Sequence, residues 1–374
     1  MGYYLVVAVA GALGAYLATP AVLAFSRKIG AVDIPDDRKV HAVPTPTLGG
    51  AAILTGLLAA VSVAAGLKPF ADSFRPLGVW PLPELVGIIA GTAIIFVIGV
   101  IDDLKGLKAP VKLSGQLLAA GFVFLSGVRL EYFRFPLKGV GALSMSSDIS
   151  AIVTIAWIVI IVNAVNLMDG LDGLAAGVTA IAAGAFFVYT YQLSRQGLAG
   201  PEPTAQLLSV AIVGTTLGFL RYNFNPARIF MGDSGSMALG FLLATATVVG
   251  VGRSGTQNPS DVSAAFVFYL PLVIPLIVLA IPLLDTIMAI VRRARKGQHV
   301  FNADREHLHH RLLEIGHGHR QAVLIIYAWT AIIAGMTLAW TFAPPVFMVP
   351  FLGGALAILL YTVLPRLVRA PHDP

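Results

Sequence analysis

The chain has 374 residues, of which 57% are hydrophobic and only 12% are charged, and its mean hydropathy is +0.83. A soluble globular protein carries about twice that charged fraction, so the composition predicts a polytopic membrane protein. The absence of cysteine excludes disulfides and thiolate metal sites. The formal net charge is +6, and the loop charges described below account for it without a nucleic-acid partner.

Eleven apolar segments are long enough to cross a bilayer, at about 20 residues for each crossing. They lie near residues 3–26, 48–67, 84–101, 111–128, 151–168, 171–193, 206–222, 235–252, 265–291, 321–342 and 346–364. The first lacks a basic leader and is too long for a signal peptide, so we interpret it as an uncleaved span. The sequence therefore predicts an all-α polytopic membrane protein in which residues 1–374 form a single domain.

The loop charges predict the orientation of these spans. An odd number of crossings puts the termini on opposite sides, and the side reached after the first span carries 18 of the 25 Lys and Arg residues. Basic loops are retained in the cytoplasm, which predicts an outside N-terminus and a cytoplasmic C-terminus. All eight histidines lie on the same side, so we expect an active site at the cytoplasmic membrane face. On the other side, alternation after Arg129 indicates a short β-hairpin.

A row of polar residues emerges from one predicted span. The segment NAVNLMDGLDGLAAG (163–177) carries Asn163, Asn166, Asp169 and Asp172, one at every third residue. On a helix the last three share one broad face, and the glycines among them predict an interruption of that helix. A solvated turn would explain one or two of these residues. It would not explain a repeating row at the edge of lipid, where carboxylates are costly.

Two aspartates and a lysine flank the turn after the third span. In GVIDDLKGLKAPVKLSGQ (99–116), Asp102 and Asp103 end one span and Lys112 begins the next. Adjacent carboxylates repel each other unless a cation lies between them, and their hard oxygen atoms suit Mg²⁺ or a metal-bound diphosphate. The alternative is a solvated helix end, although acids are unfavourable at that end of the helix dipole. We favour the functional interpretation.

A glycine-flanked aspartate marks the start of the eighth span. In YNFNPARIFMGDSGSMALGF (222–241), Asp233 follows a glycine at the predicted helix start. Backbone N–H groups there favour anions, and glycines allow a phosphate to approach, so Asp233 is a candidate ligand for a metal held against a phosphate. A simple N-cap by Asp233 or Ser234 explains the segment Gly232-Asp233-Ser234-Gly235 equally well.

Two further cytoplasmic loops carry basic residues. Lys39 and His41 lie in DIPDDRKVHAVPTPTLGG (33–50), which on its own is more simply interpreted as an ordinary positive loop. The longest loop contains a denser group of candidates for binding a diphosphate or nucleotide: Arg305, His307, His309, His310 and Arg311. Arginine binds phosphate oxygens in bidentate fashion. The alternative is a zinc site, but EHLHH fits neither of the zinc motifs H-E-x-x-H and H-x-x-E-H.

Together these loops bring carboxylates, amides and basic groups from separated parts of the chain to one membrane face. The residue types predict a divalent metal with a soluble phosphorylated substrate, and a site at the bilayer boundary suits a lipid phosphate as the second substrate. An ion-coupled transporter is the alternative from another class. Transporter sites usually lie near the midplane at a repeat interface, whereas here the acids crowd one boundary and no repeat is visible.

Five ordered motifs resemble those of the polyprenyl-phosphate N-acetylhexosamine-1-phosphate transferases (glycosyltransferase family 4): DDRKVHAVPTPTLGG, GVIDDLKGL, NAVNLMDGLDGLAAG, NPARIFMGDSGS and ADREHLHHRL. The resemblance covers nearly the whole chain, and the HLHHR form is similar to the WecA/TagO branch. It implies transfer of GlcNAc-1-phosphate from UDP-GlcNAc to undecaprenyl phosphate with release of UMP, and Mg²⁺ as cofactor with Mn²⁺ as a substitute. The branch that transfers phospho-MurNAc-pentapeptide, with a different histidine triplet, is the alternative within the family.

The resemblance also implies a location in a bacterial cytoplasmic membrane. It implies a product that feeds a polymer of the teichoic acid, O-antigen or arabinogalactan type. A homodimer is possible by the same resemblance. The implied catalytic residues are Asp102, Asp103, Lys112, Asp233 and His307. Asp233 and Asn166 match the Mg²⁺ positions. The residues implied for nucleotide, sugar and diphosphate binding are Asn166, Asp169, Asp172, Arg305, His309, His310, Arg311, Lys39 and His41. Asp102 is the implied base, but a phosphate monoester with a second pKa near 6 is already largely ionised, so that role stays an open hypothesis.

Overall fold

The structure is a computed structural model, and it describes residues 1–35, 43–75, 83–134, 142–197, 203–252 and 318–368. Within these ranges the chain is almost entirely helical, which confirms the predicted all-α class. The helices are α1 (Gly2–Ile29), α2 (Gly50–Ala65), α3 (Glu84–Lys105), α4 (Ala109–Leu125), α5 (Ser147–Met168), α6 (Leu174–Arg195), α7 (Thr204–Asn223), α8 (Gly232–Gly252), α9 (His319–Phe342) and α10 (Val349–Val368). Short 3-10 helices cover Lys68–Phe74 and Pro345–Met348.

The helices coincide with ten of the eleven predicted spans, and the span near 265–291 lies outside the described residues. Seven described helices are long and apolar enough to cross a membrane, or eight if α2 and the 3-10 helix after it, bent by 112°, form one span. Two more apolar helices are shorter. The protein is therefore a multi-pass membrane protein, while eleven crossings and their orientation remain predictions.

Two small antiparallel pairs interrupt the helices. Strands β3 (Tyr132–Arg134) and β4 (Ala142–Ser144) pair in register from Tyr132 with Ser144 to Arg134 with Ala142, which confirms the hairpin predicted after Arg129. Strands β1 (Val32–Asp33) and β2 (Thr45–Pro46) also pair. The sequence did not predict this second pair, because two residues are too few to show an alternating pattern.

The bundle is packed around α8, most of which is buried between α3, α5 and α7. Small residues let the helices approach closely. This is usual in membranes, where the hydrophobic effect does not drive helices together and close packing does. A Cβ at Gly214 or Gly218 of α7 would overlap the backbone of α1, and a Cβ at Gly240 of α8 would lie 2.8 Å from the Cα of Val162 in α5. Lys112 forms ion pairs with Asp102 and Asp233, so the end of α3 and the starts of α4 and α8 meet at one end of the bundle.

One residue of the predicted polar row serves helix pairing. Asn163 of α5 donates to Gln116 Oε1 of α4 at 2.7 Å, and Gln116 Nε2 donates back to Asn163 Oδ1 at 3.3 Å. Gln116 is buried, with 1% of its surface exposed. The pair satisfies amide groups that lipid or an apolar core would leave unpaired. Asn163 therefore fixes α4 against α5, one helical turn from the polar residues that lie at the end of the bundle.

We expect the Gln116→Ala and Asn163→Ala variants to show a coupling energy of about 0.6 kcal/mol, and no more than about 1.7 kcal/mol, because interhelical side-chain hydrogen bonds in membranes are of that size. The measurement is a double-mutant cycle on the free energy of unfolding in mixed micelles. Thr55→Ala, which removes a bond confined to α2, serves as the control and should not couple to either variant. Purely additive effects at Gln116 and Asn163 would contradict the pairing role.

Candidate active site

A lysine and two aspartates form the centre of a charged cluster at this end of the bundle. Lys112, at the start of α4, lies with Nζ 2.6 Å from Asp233 Oδ2 and also forms an ion pair with Asp102 of α3. Asn166 of α5 donates to Asp233 Oδ1 at 2.5 Å. Four helices thus bring together residues that lie far apart in the chain. The structure places all four predicted residues in one group.

Asp103 has a different position from its neighbour Asp102. Its Oδ1 accepts from the backbone N–H of Asp233 at 2.7 Å, and its Oδ2 accepts from that of Ser234 at 3.1 Å. Asp103 therefore caps the start of α8, where unpaired N–H groups and the helix dipole favour a negative charge. The N–H groups that the sequence suggested for a phosphate are occupied by this carboxylate of the protein itself.

Two glycines make this cap possible. Gly99 lies one turn before Asp103, and a Cβ there would come within 2.8 Å of the Asp233 carbonyl carbon. Gly232 has a φ of +70°, a left-handed conformation that favours glycine, and a Cβ on it would lie 2.6 Å from the Asp103 carboxylate. The glycine before Asp233 therefore admits a carboxylate close to the helix start.

The polar row does not continue along one helix. Helix α5 ends at Met168 and α6 begins at Leu174, so Asp169 and Asp172 lie in the turn between them rather than on a shared helical face with Asn166. Gly173 has a φ of +80° at the start of α6, and the predicted interruption is therefore present. Asp172 Oδ2 accepts from Asn225 Nδ2 at 2.8 Å and from the N–H of Ala227 at 3.0 Å.

Asp169 completes an acidic cluster. Burial raises the pKa of Asp169 well above its usual value, and the carboxylates of Asp233, Asp103 and Asp172 raise it further. Within the described residues, Lys112 is the only basic side chain that forms an ion pair with any of the five aspartates of this cluster. The end of the bundle therefore carries an excess of negative charge, which a bound cation would relieve.

The donor atoms suit a divalent cation. Carboxylate and amide oxygens are hard ligands of the kind that Mg²⁺ prefers, and Mg²⁺ is usually held by one or two carboxylates together with substrate phosphates. The residues described hold no group of three His, Asp or Glu residues placed to bind a metal unaided. Asp233, Asn166 and Asp169 are the residues that fit this role.

The remaining candidates fall in two segments, 36–42 and 253–317, that lie outside the described residues. They are Lys39, His41, Arg305, His307, His309, His310 and Arg311, and their roles stay predictions.

Three residues of the site were not singled out from the sequence. Ser236 is buried and accepts from Asn166 Nδ2 at 2.9 Å, Asn225 holds Asp172, and His319 contacts the same turn. Ser236 lies one helical turn after Gly232, to whose carbonyl oxygen it donates. The three-residue spacing from Asp233 to Ser236 in MGDSGS could therefore have indicated that both side chains lie on the same side of α8. Nothing local in the sequence indicates His319, because it lies 147 residues from its partner.

The fold is that of a multi-pass membrane protein with a charged cluster of aspartates and one lysine at one end of its helices. Residues 85–251 match the sequence model of a family described as glycosyl transferase family 4. The chain is 39% identical over 373 residues to decaprenyl-phosphate N-acetylglucosaminephosphotransferase of Mycobacterium tuberculosis (strain CDC 1551 / Oshkosh), a match that covers 98% of this chain and 91% of that protein.

Two more relatives show where the chain lies among similar proteins. It is 36% identical over 312 residues to a probable undecaprenyl-phosphate N-acetylglucosaminyl 1-phosphate transferase of Bacillus subtilis (strain 168), covering 83% of this chain and 77% of that one. It is 31% identical over 223 residues to phospho-N-acetylmuramoyl-pentapeptide-transferase of Geobacillus kaustophilus (strain HTA426), covering 55% and 61%. The chain belongs to glycosyl transferase family 4, among its polyprenyl-phosphate N-acetylhexosamine-1-phosphate transferases.

We expect Asp103→Ala to lower the free energy of unfolding by about 1–2 kcal/mol, because it removes both the acceptor and the charge from the start of α8. Asp103→Asn keeps one acceptor and should lose less. The measurement is unfolding in mixed micelles. Asp148, exposed in the first turn of α5, is the matched control, and Asp148→Ala should change stability by less than about 0.5 kcal/mol. Equal effects at Asp103 and Asp148 would contradict the capping role.

We expect Asp169→Asn to raise the melting temperature at neutral pH in EDTA. Because the pKa of Asp169 is raised above 3.8 in the folded protein, the native state binds more protons than the unfolded state above that pH. Stability therefore falls as pH rises through this range, and the variant, which carries no titrating group there, avoids the loss. The measurement is the melting temperature of both proteins from pH 4 upward. A difference that does not grow with pH would contradict the assignment.

Proposed function

We propose that the protein transfers GlcNAc-1-phosphate from UDP-GlcNAc to undecaprenyl phosphate or a related polyprenyl phosphate, giving polyprenyl-diphospho-GlcNAc and UMP. The observation that carries this proposal is Lys112, an amine held between the carboxylates of Asp102 and Asp233 where four helices end together. The names of the relatives that match over most of the chain support GlcNAc as the sugar. The match to the pentapeptide transferase covers little more than half of this chain.

Phosphoryl transfer depends mainly on positioning and charge neutralisation, because its transition state spreads negative charge over phosphate oxygens. Lys112 is suited to this task, since its two carboxylate partners fix the amine at the end of α4. A phosphate of the lipid or of the sugar nucleotide that approached the cluster would meet this positive charge.

Asp102 is better suited to holding Lys112 than to removing a proton. Its Oδ1 accepts from the N–H of Leu107 at 2.6 Å, and its other oxygen pairs with Lys112. Only 8% of the residue is exposed. The acceptor phosphate is largely ionised without help, so the proposed reaction needs no base at this position.

Mg²⁺ is the proposed cofactor, with Mn²⁺ as its substitute, and when bound it would neutralise the diphosphate of the sugar nucleotide. Asp233 and Asn166 would hold it, with Asp169 as a third oxygen ligand. Their existing contacts keep them in place: Asn166 donates to both Asp233 and Ser236. The turn that carries Asp172 is the proposed nucleotide end of the site.

The proposed location is the cytoplasmic face of a bacterial cytoplasmic membrane, where a soluble nucleotide sugar and a lipid phosphate can meet. The product would supply the synthesis of a cell-envelope polysaccharide.

The test is UMP release from UDP-GlcNAc and undecaprenyl phosphate by the purified protein, with Mg²⁺ and with EDTA. We expect release only with the lipid and the metal together, and little with UDP-MurNAc-pentapeptide as donor. Lys112→Met should lower kcat by about 10²–10³-fold, the usual cost of removing one group that neutralises charge in the transition state.

Lys108→Met is the matched control, because Lys108 lies just before α4 and is exposed. It should leave kcat nearly unchanged. Asp102→Asn should keep near-normal turnover at saturating Mg²⁺. A large fall in kcat together with loss of the low-pH limb of the pH–rate profile would restore the base assignment. If folded protein releases no UMP with either donor, the proposed function is wrong and the transporter alternative returns.

A further inference from the structure

The start of α9 contacts the turn between α5 and α6. His319 is the first residue of α9, and its Nε2 lies 3.1 Å from the backbone nitrogen of Asp172. A backbone N–H can only donate, so the ring nitrogen that faces it must be an unprotonated acceptor. In the described part of the chain, no other group accepts this N–H. The imidazole of His319 therefore holds the backbone of Asp172 directly.

The same helix also holds the loop before α8. Arg320 Nε donates to the carbonyl oxygen of Asn225 at 2.8 Å, and the side chain of Asn225 donates to Asp172. Further along α9, the hydroxyl of Tyr327 donates to the Gly173 carbonyl. Three successive contacts thus tie α9 to both segments that meet at Asp172.

We infer that His319 is a positioning residue for the nucleotide end of the site, which it orders by holding the Asp172 backbone. The inference rests on the proposed function, in which the turn around Asp172 binds the nucleotide. Asp172 is half-buried and joins this turn to the loop before α8 through two hydrogen bonds. Its carboxylate can keep that geometry only while its backbone is held. Among the described residues no hydrogen bond or ion pair joins His319 to Lys112, Asp102 or Asp233. We therefore expect His319 to act on nucleotide binding and not on the lipid phosphate.

The experiment measures the Kd of UDP-GlcNAc and of UMP by calorimetry, and the KM of both substrates, for a series of His319 variants. His319→Leu removes the acceptor and should weaken UDP-GlcNAc binding about tenfold, because the half-buried N–H of Asp172 loses its partner and the turn is no longer held. The KM for undecaprenyl phosphate should stay within about twofold. His319→Gln places an oxygen near the position of Nε2 and should restore binding, whereas His319→Asn is too short and should not.

Gln321→Ala is the matched control on the same helix start. Gln321 Oε1 accepts from the N–H of Gly318 at 3.0 Å and does not contact the turn, so this variant weakens the helix start alone and should leave both constants unchanged. If His319→Leu does not fold, the difference between the Gln and Asn variants decides the matter. Equal UDP-GlcNAc binding by those two variants, or equal weakening by Gln321→Ala, would overturn the inference.

The two proposals fail in different ways. A wild-type protein that neither binds UDP-GlcNAc nor releases UMP would refute the proposed function itself. A wild-type protein that does both, with His319 variants that bind the nucleotide normally, would refute only the positioning role.

Discussion

The site depends on one interaction, the capping of α8 by Asp103. The start of a helix presents N–H groups that lack partners within the helix. Asp103 supplies both acceptors from α3. Because one of the capped N–H groups belongs to Asp233 itself, the cap also fixes the residue to which Lys112 and Asn166 bind. The position of the whole cluster therefore follows from a contact between α3 and α8.

This arrangement gathers more negative charge than it neutralises. Lys112 forms ion pairs with two carboxylates. Other carboxylates accept hydrogen bonds from backbone N–H groups or side-chain amides, and these neutral donors do not cancel the negative charge. The excess is visible at Asp169, whose pKa is raised by burial and by its acidic neighbours. Charge repulsion of this kind costs stability and is tolerated at functional sites, where a ligand of opposite charge removes it. The same imbalance that weakens the fold is therefore the physical basis of the proposed binding of a cation, and of a phosphate that a cation accompanies.

Much of the fold could be predicted from the sequence, because spans are continuous apolar segments whose length is set by the bilayer. The polar row was harder. Periodicity grouped Asn163 with Asn166, yet the first faces Gln116 and the second faces Asp233. A row of polar residues shows that partners are needed but not which partners. The cap by Asp103 and the contact of His319 join residues 130 and 147 positions apart, and such distant pairings leave no local pattern in a single sequence.

The five aspartates of the cluster have the same side chain but make different contacts. Asp103 accepts from two backbone groups, Asp172 accepts from an amide and a backbone group, and Asp102 pairs with Lys112. Removing any of them would disturb the site, so loss of activity on its own would not identify an aspartate that meets the substrate. The distinguishing property is whether the carboxylate already has a partner in the protein. Among the described residues the side chain of Asp169 forms no hydrogen bond or ion pair. Its carboxylate is therefore the one still available to a ligand, which supports the proposal that Asp169 contacts the metal directly over a purely structural role.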